Sequence, residues 1–115
     1  MKIIGKRKHK YNAKRKSIDG IVFDSLKEAK RFTELKMLEK AGSIKNLELQ
    51  PRFLLQESFK KEGKTIRAIY YVADFSYFQN GNRCVEDVKG FKTDVYNLKK
   101  KLFLKKYPDV VFREI

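Results

Sequence analysis

The chain has 115 residues, enough for one domain and too few for two ordinary ones, and its 42% hydrophobic content allows a core. Its 28 Lys and Arg outnumber 14 Asp and Glu, for a formal net charge of +14; such an excess points to a polyanionic partner, nucleic acid first and an anionic membrane surface second. One cysteine, Cys84, and one histidine, His9, exclude an internal disulfide and a Cys/His zinc site, and no run approaches the roughly 18 apolar residues of a membrane span.

Residues 1–18 carry Lys2, Lys6, Arg7, Lys8, Lys10, Lys14, Arg15 and Lys16 with no acid among them. A self-repelling block without helical or strand period predicts a flexible basic arm, and the overall excess of cations favours phosphate binding over a merely solubilising tail. His9 is expected to be an exposed residue of that arm. The opening MKIIGKRKHK has no apolar stretch of signal-peptide length, so a cytoplasmic protein is expected. Residues 19–115 are expected to form a single folded domain.

Ser17 to Phe23 reads as a small hairpin turning at Asp19-Gly20. Ser25-Leu-Lys-Glu28 is a capping-box pattern, and Leu26, Ala29, Phe32, Leu35 and Leu38 recur at helical spacing, so a helix is predicted over about Leu26 to Ala41, with Gly42 just past its end. Leu47 to Leu55 alternates, then breaks near Pro51, as an edge or bulged strand does. Lys61 to Lys64 is a turn. Ile66 to Phe78, rich in β-branched and aromatic residues, predicts one long strand. Asn80-Gly81 is the strongest hairpin signal, and Arg83 to Lys89 is the return strand. Cys84 is expected to be a small apolar core residue. Asp94 to Lys106 predicts a second helix with Val95, Leu98, Leu102 and Phe103 facing inward; Pro108 stops it, and Val110 to Phe112 make a last strand, parallel to its partner after a crossover. No segment has a bulky apolar helix face beyond what a core needs, so no membrane contact is expected.

The Asn80-Gly81 hairpin fixes a register. A two-residue turn puts Gln79 opposite Asn82, and counting back puts Asp74 opposite Asp87 and Val72 opposite Lys89. Alternation places Asp74, Asp87 and Lys89 on one face and Glu86, across from Phe75, on the other. Directly opposed carboxylates have β-carbons about 5 Å apart and destabilise a sheet unless something positive lies between them. Lys89 is one candidate; a hard divalent cation, which prefers carboxylate oxygens, is another. A solvated surface cluster is the plainer alternative. The apolar flanks of both acids, Tyr70 to Ala73, Phe75, Val85 and Val88, argue for the middle of a sheet, where charges need a partner or a task.

Val-Ala-Asp74-Phe, a hairpin turn and then Val-Glu-Asp87-Val-Lys89-Gly resemble the PD-(D/E)XK nuclease signature, with alanine in place of the proline and Asp87 in place of glutamate. Phe23-Asp-Ser-Leu-Lys-Glu28-Ala is similar to the acidic helix preceding it in many members, and Gln50-Pro51 to a Gln-Pro element in some. The resemblance covers residues 20–115 and implies an α/β, restriction-endonuclease-like core, a mixed sheet in the order helix-strand-strand-strand-helix-strand, close to the small phage-encoded branch that includes Holliday junction resolvases. It implies that Asp74 and Asp87, with the Val88 carbonyl and Glu28, hold Mg2+ or Mn2+, and that Lys89 orients the attacking water or stabilises charge on the phosphorane. For Glu28 the capping box alone is a competing explanation. Lys92, Lys99 and Lys100, with Tyr96, are candidate phosphate contacts beside the site, a solvated helix face being the alternative.

The expected activity is metal-dependent endonucleolytic hydrolysis of DNA phosphodiesters, selective for branched DNA because a bare basic core reads backbone and shape. By analogy with the family, two cuts at a junction imply a homodimer, and a phage-encoded enzyme would act in the host cytoplasm. The alternative is a non-catalytic nucleic-acid-binding module of recombination or replication.

Overall fold

The computed structural model describes residues 15–115. Lys6, Arg7, Lys8, His9, Lys10 and Lys14 lie outside the described residues. Arg15 and Lys16 are exposed. Lys16 nevertheless belongs to β1 (Lys16–Ile18), which pairs antiparallel with β2 (Ile21–Phe23). The folded part therefore begins before residue 19, because Lys16 and Ser17 find partners in Phe23 and Val22. Asp19 and Gly20 take φ of 53° and 79° in the expected turn.

Helix α1 (Leu26–Lys40) starts at Ser25, whose Oγ accepts the Glu28 N–H at 3.1 Å and so satisfies one of the free donors of the first turn. Ala29, Phe32 and Leu35 bury its apolar stripe, with Glu28 beside them, while Leu26 and Leu38 are exposed. The segment after it departs from the expected single strand. Gln50, at φ 51°, and Pro51 divide it into β3 (Lys45–Leu49) and β4 (Arg52–Gln56). The predicted long strand is likewise divided: β5 (Phe59–Lys61) and β6 (Lys64–Ile66) form a hairpin, and β7 (Ile69–Val72) and β8 (Phe75–Gln79) follow. The two breaks face each other. The Gln50 N–H donates to the Asp74 carbonyl at 3.0 Å, and the Ala73 N–H to the Pro51 carbonyl at 3.1 Å. A proline has no N–H for a ladder, so the ribbon bends there, and β3–β8 and β4–β7 become antiparallel pairs in separate sheets.

Strand β9 (Asn82–Asp87) returns in the expected register, from Gln79 opposite Asn82 to Phe75 opposite Glu86. Gly81 sits at φ 80°, and no atom of the described residues lies within 4 Å of a Cβ added there. Space is thus not the constraint; left-handed backbone is. Gly81→Ala is expected to lower stability by about 1 kcal/mol, read as a shift of the urea midpoint at constant slope.

Helix α2 (Asp94–Lys106), capped by Thr93, spans the expected residues, but its inward side differs. Tyr96 and Phe103 are buried, and Val95, Leu98 and Leu102 are exposed. The Phe103 ring lies 4.8 Å from those of both Phe53 and Tyr71 and 5.8 Å from Phe112; this aromatic cluster sets the helix rotation against three aliphatic side chains. Strand β10 (Val111–Glu114) then pairs parallel with β9, as the crossover predicts.

The main sheet has the order β10-β9-β8-β3. Phe23, Phe32, Leu35, Phe75, Tyr77 and Cys84 form one core; Phe53, Tyr71, Val85 and Phe103 belong to a second. Cys84 and Val85 are successive strand residues, so the cores lie on opposite faces, one under each helix. The fold is mixed α/β. The sequence α1, β3, β8, β9, α2, β10 follows the expected element order, with β4 to β7 inserted as an extra ribbon. Among the described residues no helix is long and apolar enough to cross a membrane.

Candidate functional site

The β8–β9 ladder stops one step short of the two acids. Phe75–Glu86 is its last pair. The Asp74 N–H donates to the Glu86 carbonyl at 3.2 Å instead of continuing the register, so the chain bulges at Asp74 and Val72 pairs with Arg52 of β4, not with Lys89. From the bulge the Asp74 carboxylate reaches the end of β9, where its Oδ2 accepts the Val88 N–H at 2.8 Å. Asp87 lies against it, within hydrogen-bonding reach of Asp74, and neither acid has any exposed surface.

That enclosure has a chemical cost. Burial first, and the neighbouring Asp74 charge second, push Asp87 from 3.8 up to about 7; Lys89 and the Tyr71 hydrogen bond only partly oppose the shift. The Tyr71 hydroxyl donates to Asp87 Oδ2. Among the described residues Asp87 Oδ1 has no hydrogen-bond partner, and Lys89 Nζ stands 3.7 Å from it. Lys89 is itself held over the Tyr96 ring, 4.8 Å from its centroid. The Tyr96 hydroxyl donates to Glu114 Oε2 at 2.6 Å, and Lys92 and Lys100 approach Glu114 at 3.2 and 3.1 Å. Those interactions, led by the Tyr96 hydrogen bond, hold Glu114 down at about 2. The Ile115 N–H donates to the Asp87 carbonyl at 2.8 Å and ties down the end of β9.

Glu86 faces the other way, as parity predicts. Arg31 of α1 donates from Nε and Nη2 to its two oxygens, both at 2.7 Å, and the Tyr77 hydroxyl donates to Oε2. Burial and that bond push the Tyr77 hydroxyl up to about 12. Glu86 thus clamps helix to sheet.

Of the predicted site residues, Asp74, Asp87 and Lys89 come together. Val88 gives Asp74 its N–H and buries its side chain in the α1 core. Gln50 meets Asp74 through the backbone. Lys92 and Lys100 gather at Glu114, and Lys99 is partly exposed on α2. Glu28 is buried in the first turn of α1. Among the described residues no three His, Cys, Asp or Glu side chains are grouped to hold a metal, so Glu28 is not brought into one set with Asp74 and Asp87. A groove of about 500 Å³ lies elsewhere, between the end of β1 and the C-terminal half of α1, lined by Ile18, Phe32, Lys36 and Met37 among others.

Sequence reasoning missed Tyr71 and Glu114. Tyr71 carried one usable signal, a hydroxyl in an apolar strand run that needs a partner once buried. Glu114 is legible only once β10 is in parallel register, which sets it beside Asp87.

The chain belongs to the DUF1064 family, described as "Protein of unknown function", which matches residues 8–115. No curated protein and no solved structure matches it.

Proposed function

We propose that this chain is a metal-dependent DNA endonuclease on a restriction-endonuclease-like core, hydrolysing phosphodiester bonds of branched DNA of the Holliday junction type as a homodimer. The observation that carries the reading is the pair Asp74 and Asp87, adjacent, wholly buried, and accompanied by one ammonium at 3.7 Å. Two ionised carboxylates enclosed together are unfavourable, and structural stability gives no reason for them. The donor set fits a hard cation. Mg2+ commonly takes one or two carboxylates and keeps several waters, so a third acid is not required, and among the described residues Asp87 Oδ1 has no hydrogen-bond partner.

Bound there, such an ion would polarise the scissile phosphate and lower the pKa of a bound water. The chain's own residues do the rest. Tyr71 fixes the rotation of the Asp87 carboxylate, and the Val88 N–H fixes that of Asp74. Lys89, steered by the Tyr96 ring, places a positive charge beside the acids where charge on a phosphorane develops. Lys92 and Lys100 supply cations at the margin.

The test is a cleavage panel on four-way junction, flap, nicked and linear duplex DNA, with Mg2+ or with EDTA. Cutting should require the metal. Asp74→Asn should reduce it by more than the roughly 10–100-fold that loss of an outer-shell partner costs, with DNA binding retained. Tight binding without cutting under any divalent ion would replace this reading by the non-catalytic module. Removing residues 2–14, which spares β1, should flatten the dependence of log K on log salt by about 0.9 for each phosphate that the arm neutralises; an unchanged slope in anisotropy titrations would take the arm off the DNA.

A further inference from the structure

The β5–β6 hairpin is unlike the rest of the molecule. It forms a two-stranded sheet of its own, and every residue from Gln56 to Arg67 is exposed. An isolated two-stranded ribbon is marginal in water at best. Its register pairs Phe59 with Ile66, Lys60 with Thr65, and Lys61 with Lys64 around a Glu62-Gly63 turn. Side chains alternate, so Phe59, Ile66, Lys61 and Lys64 share one face. That face is doubly unfavourable by itself. It sets two ammonium groups directly opposite each other near the tip, a destabilising cross-strand pair. Behind them it leaves an apolar cross-strand pair in water, Phe59 at 47% and Ile66 at 41% exposure.

From these observations we propose that the ribbon is a second nucleic-acid contact, entering a groove of duplex DNA with this face towards it; the inference rests on the nucleic-acid reading given above. A partner that removes both penalties must be anionic at the tip and offer packing surface behind it. A duplex does both. Its phosphates flank the groove, and its sugars and base edges line it. The major groove admits a two-stranded ribbon. Lys60, paired with Thr65, and Arg67 are exposed and alternate to the ribbon's other face, so they add to the charge of the hairpin as a whole and not to that face. Lys64 and Asp74 are ten residues apart, so at most roughly 35 Å separates them, about one helical turn of duplex. Both can engage the same arm of DNA.

The experiment uses the full chain and fluorescence anisotropy with a duplex of about two helical turns and with one of its single strands, across about 50 to 200 mM salt. Lys61→Ser with Lys64→Ser should reduce the duplex salt slope by about 1.8. Lys61→Arg with Lys64→Arg should keep the native slope, which separates an effect of charge from a misfolded ribbon. Phe59→Ser should weaken duplex binding about tenfold at an unchanged slope, since no counterion is involved. Single-strand affinity should not change in any variant. If the native chain binds duplex and the Ser variants match it in affinity and slope, this inference falls alone. If they lose single-strand binding equally, the groove is wrong. If the native chain does not bind DNA at all, the nucleic-acid reading falls and takes the ribbon with it. A dimer in light scattering that Phe59→Ser dissolves, with DNA binding intact, would reassign the face to self-association.

Discussion

Asp87→Asn should make the metal-free protein more stable at pH 8 while removing its response to Mg2+. The sign follows from the direction of the shift. A carboxyl whose value is raised on folding binds its proton more tightly in the native state, so its contribution is favourable below the unfolded value and is lost as pH rises through the native one. For Asp87 the window runs from 3.8 to about 7. At about 1.4 kcal/mol for each pH unit, the ionised form costs up to roughly 4 kcal/mol above that window. Asparagine keeps an oxygen for the Tyr71 hydroxyl and relieves the repulsion with Asp74, so a gain of about 2–4 kcal/mol is expected at pH 8, shrinking towards pH 4. Urea melts at the two pH values measure it. With free Mg2+ at about 100 times its Kd, the native chain should gain about 2.7 kcal/mol and the variant nothing. A variant less stable than the native chain at pH 8 would make the carboxylate structural and remove the reason for assigning it chemistry.

Arg31→Ala should be among the most damaging single changes outside the cores. Glu86 has no exposed surface and takes two 2.7 Å bonds from Arg31. Removing the guanidinium leaves a buried carboxylate with only the Tyr77 hydroxyl, and stranding one member of a buried pair costs about 3–5 kcal/mol. Arg31 is 21% exposed, which places the loss near the lower figure. The same guanidinium also meets Glu34 at 3.1 Å in the open, and Glu34→Ala should cost under about 1 kcal/mol. Replacing both members, Arg31→Met with Glu86→Leu, should recover most of the loss, because a well-packed apolar pair avoids the desolvation cost. A cost below about 1 kcal/mol for Arg31→Ala would show that helix and sheet are held by their apolar contacts alone.

What is legible in the sequence is governed by local rules. Asn80-Gly81 and Asp19-Gly20 dictate their turns, Ser25 dictates a helix start, and a two-residue turn fixes register with no knowledge of the rest of the chain. Counting therefore brings Asp74 and Asp87 to the same end of the ladder, while the bulge at Asp74 that joins them lies beyond it. What stays hidden depends on contacts distant in sequence. The break near Pro51 is legible locally, but the matching break at Ala73-Asp74, twenty-odd residues later, is a joint property of the two segments and does not read alone. The rotation of α2 follows from Phe53 and Tyr71, which no helical periodicity contains. Arg31 reads as one more surface cation until the fold carries it to Glu86, 55 positions later. The turn at Glu62-Gly63 is visible locally, but nothing local says that its strands pair with each other and with no other described strand.

Because β5 and β6 pair with each other and with no other described strand, the hairpin can change length without altering the Tyr71 hydroxyl that β7 brings to Asp87. Two residues added to each of its strands would extend it by about 7 Å and, with the pleat repeating every second residue, keep the same side chains on the same side. If the chain binds nucleic acid as proposed, it is a fixed anvil with an adjustable ruler attached, and spacing along the bound polymer would be open to tuning by insertion alone.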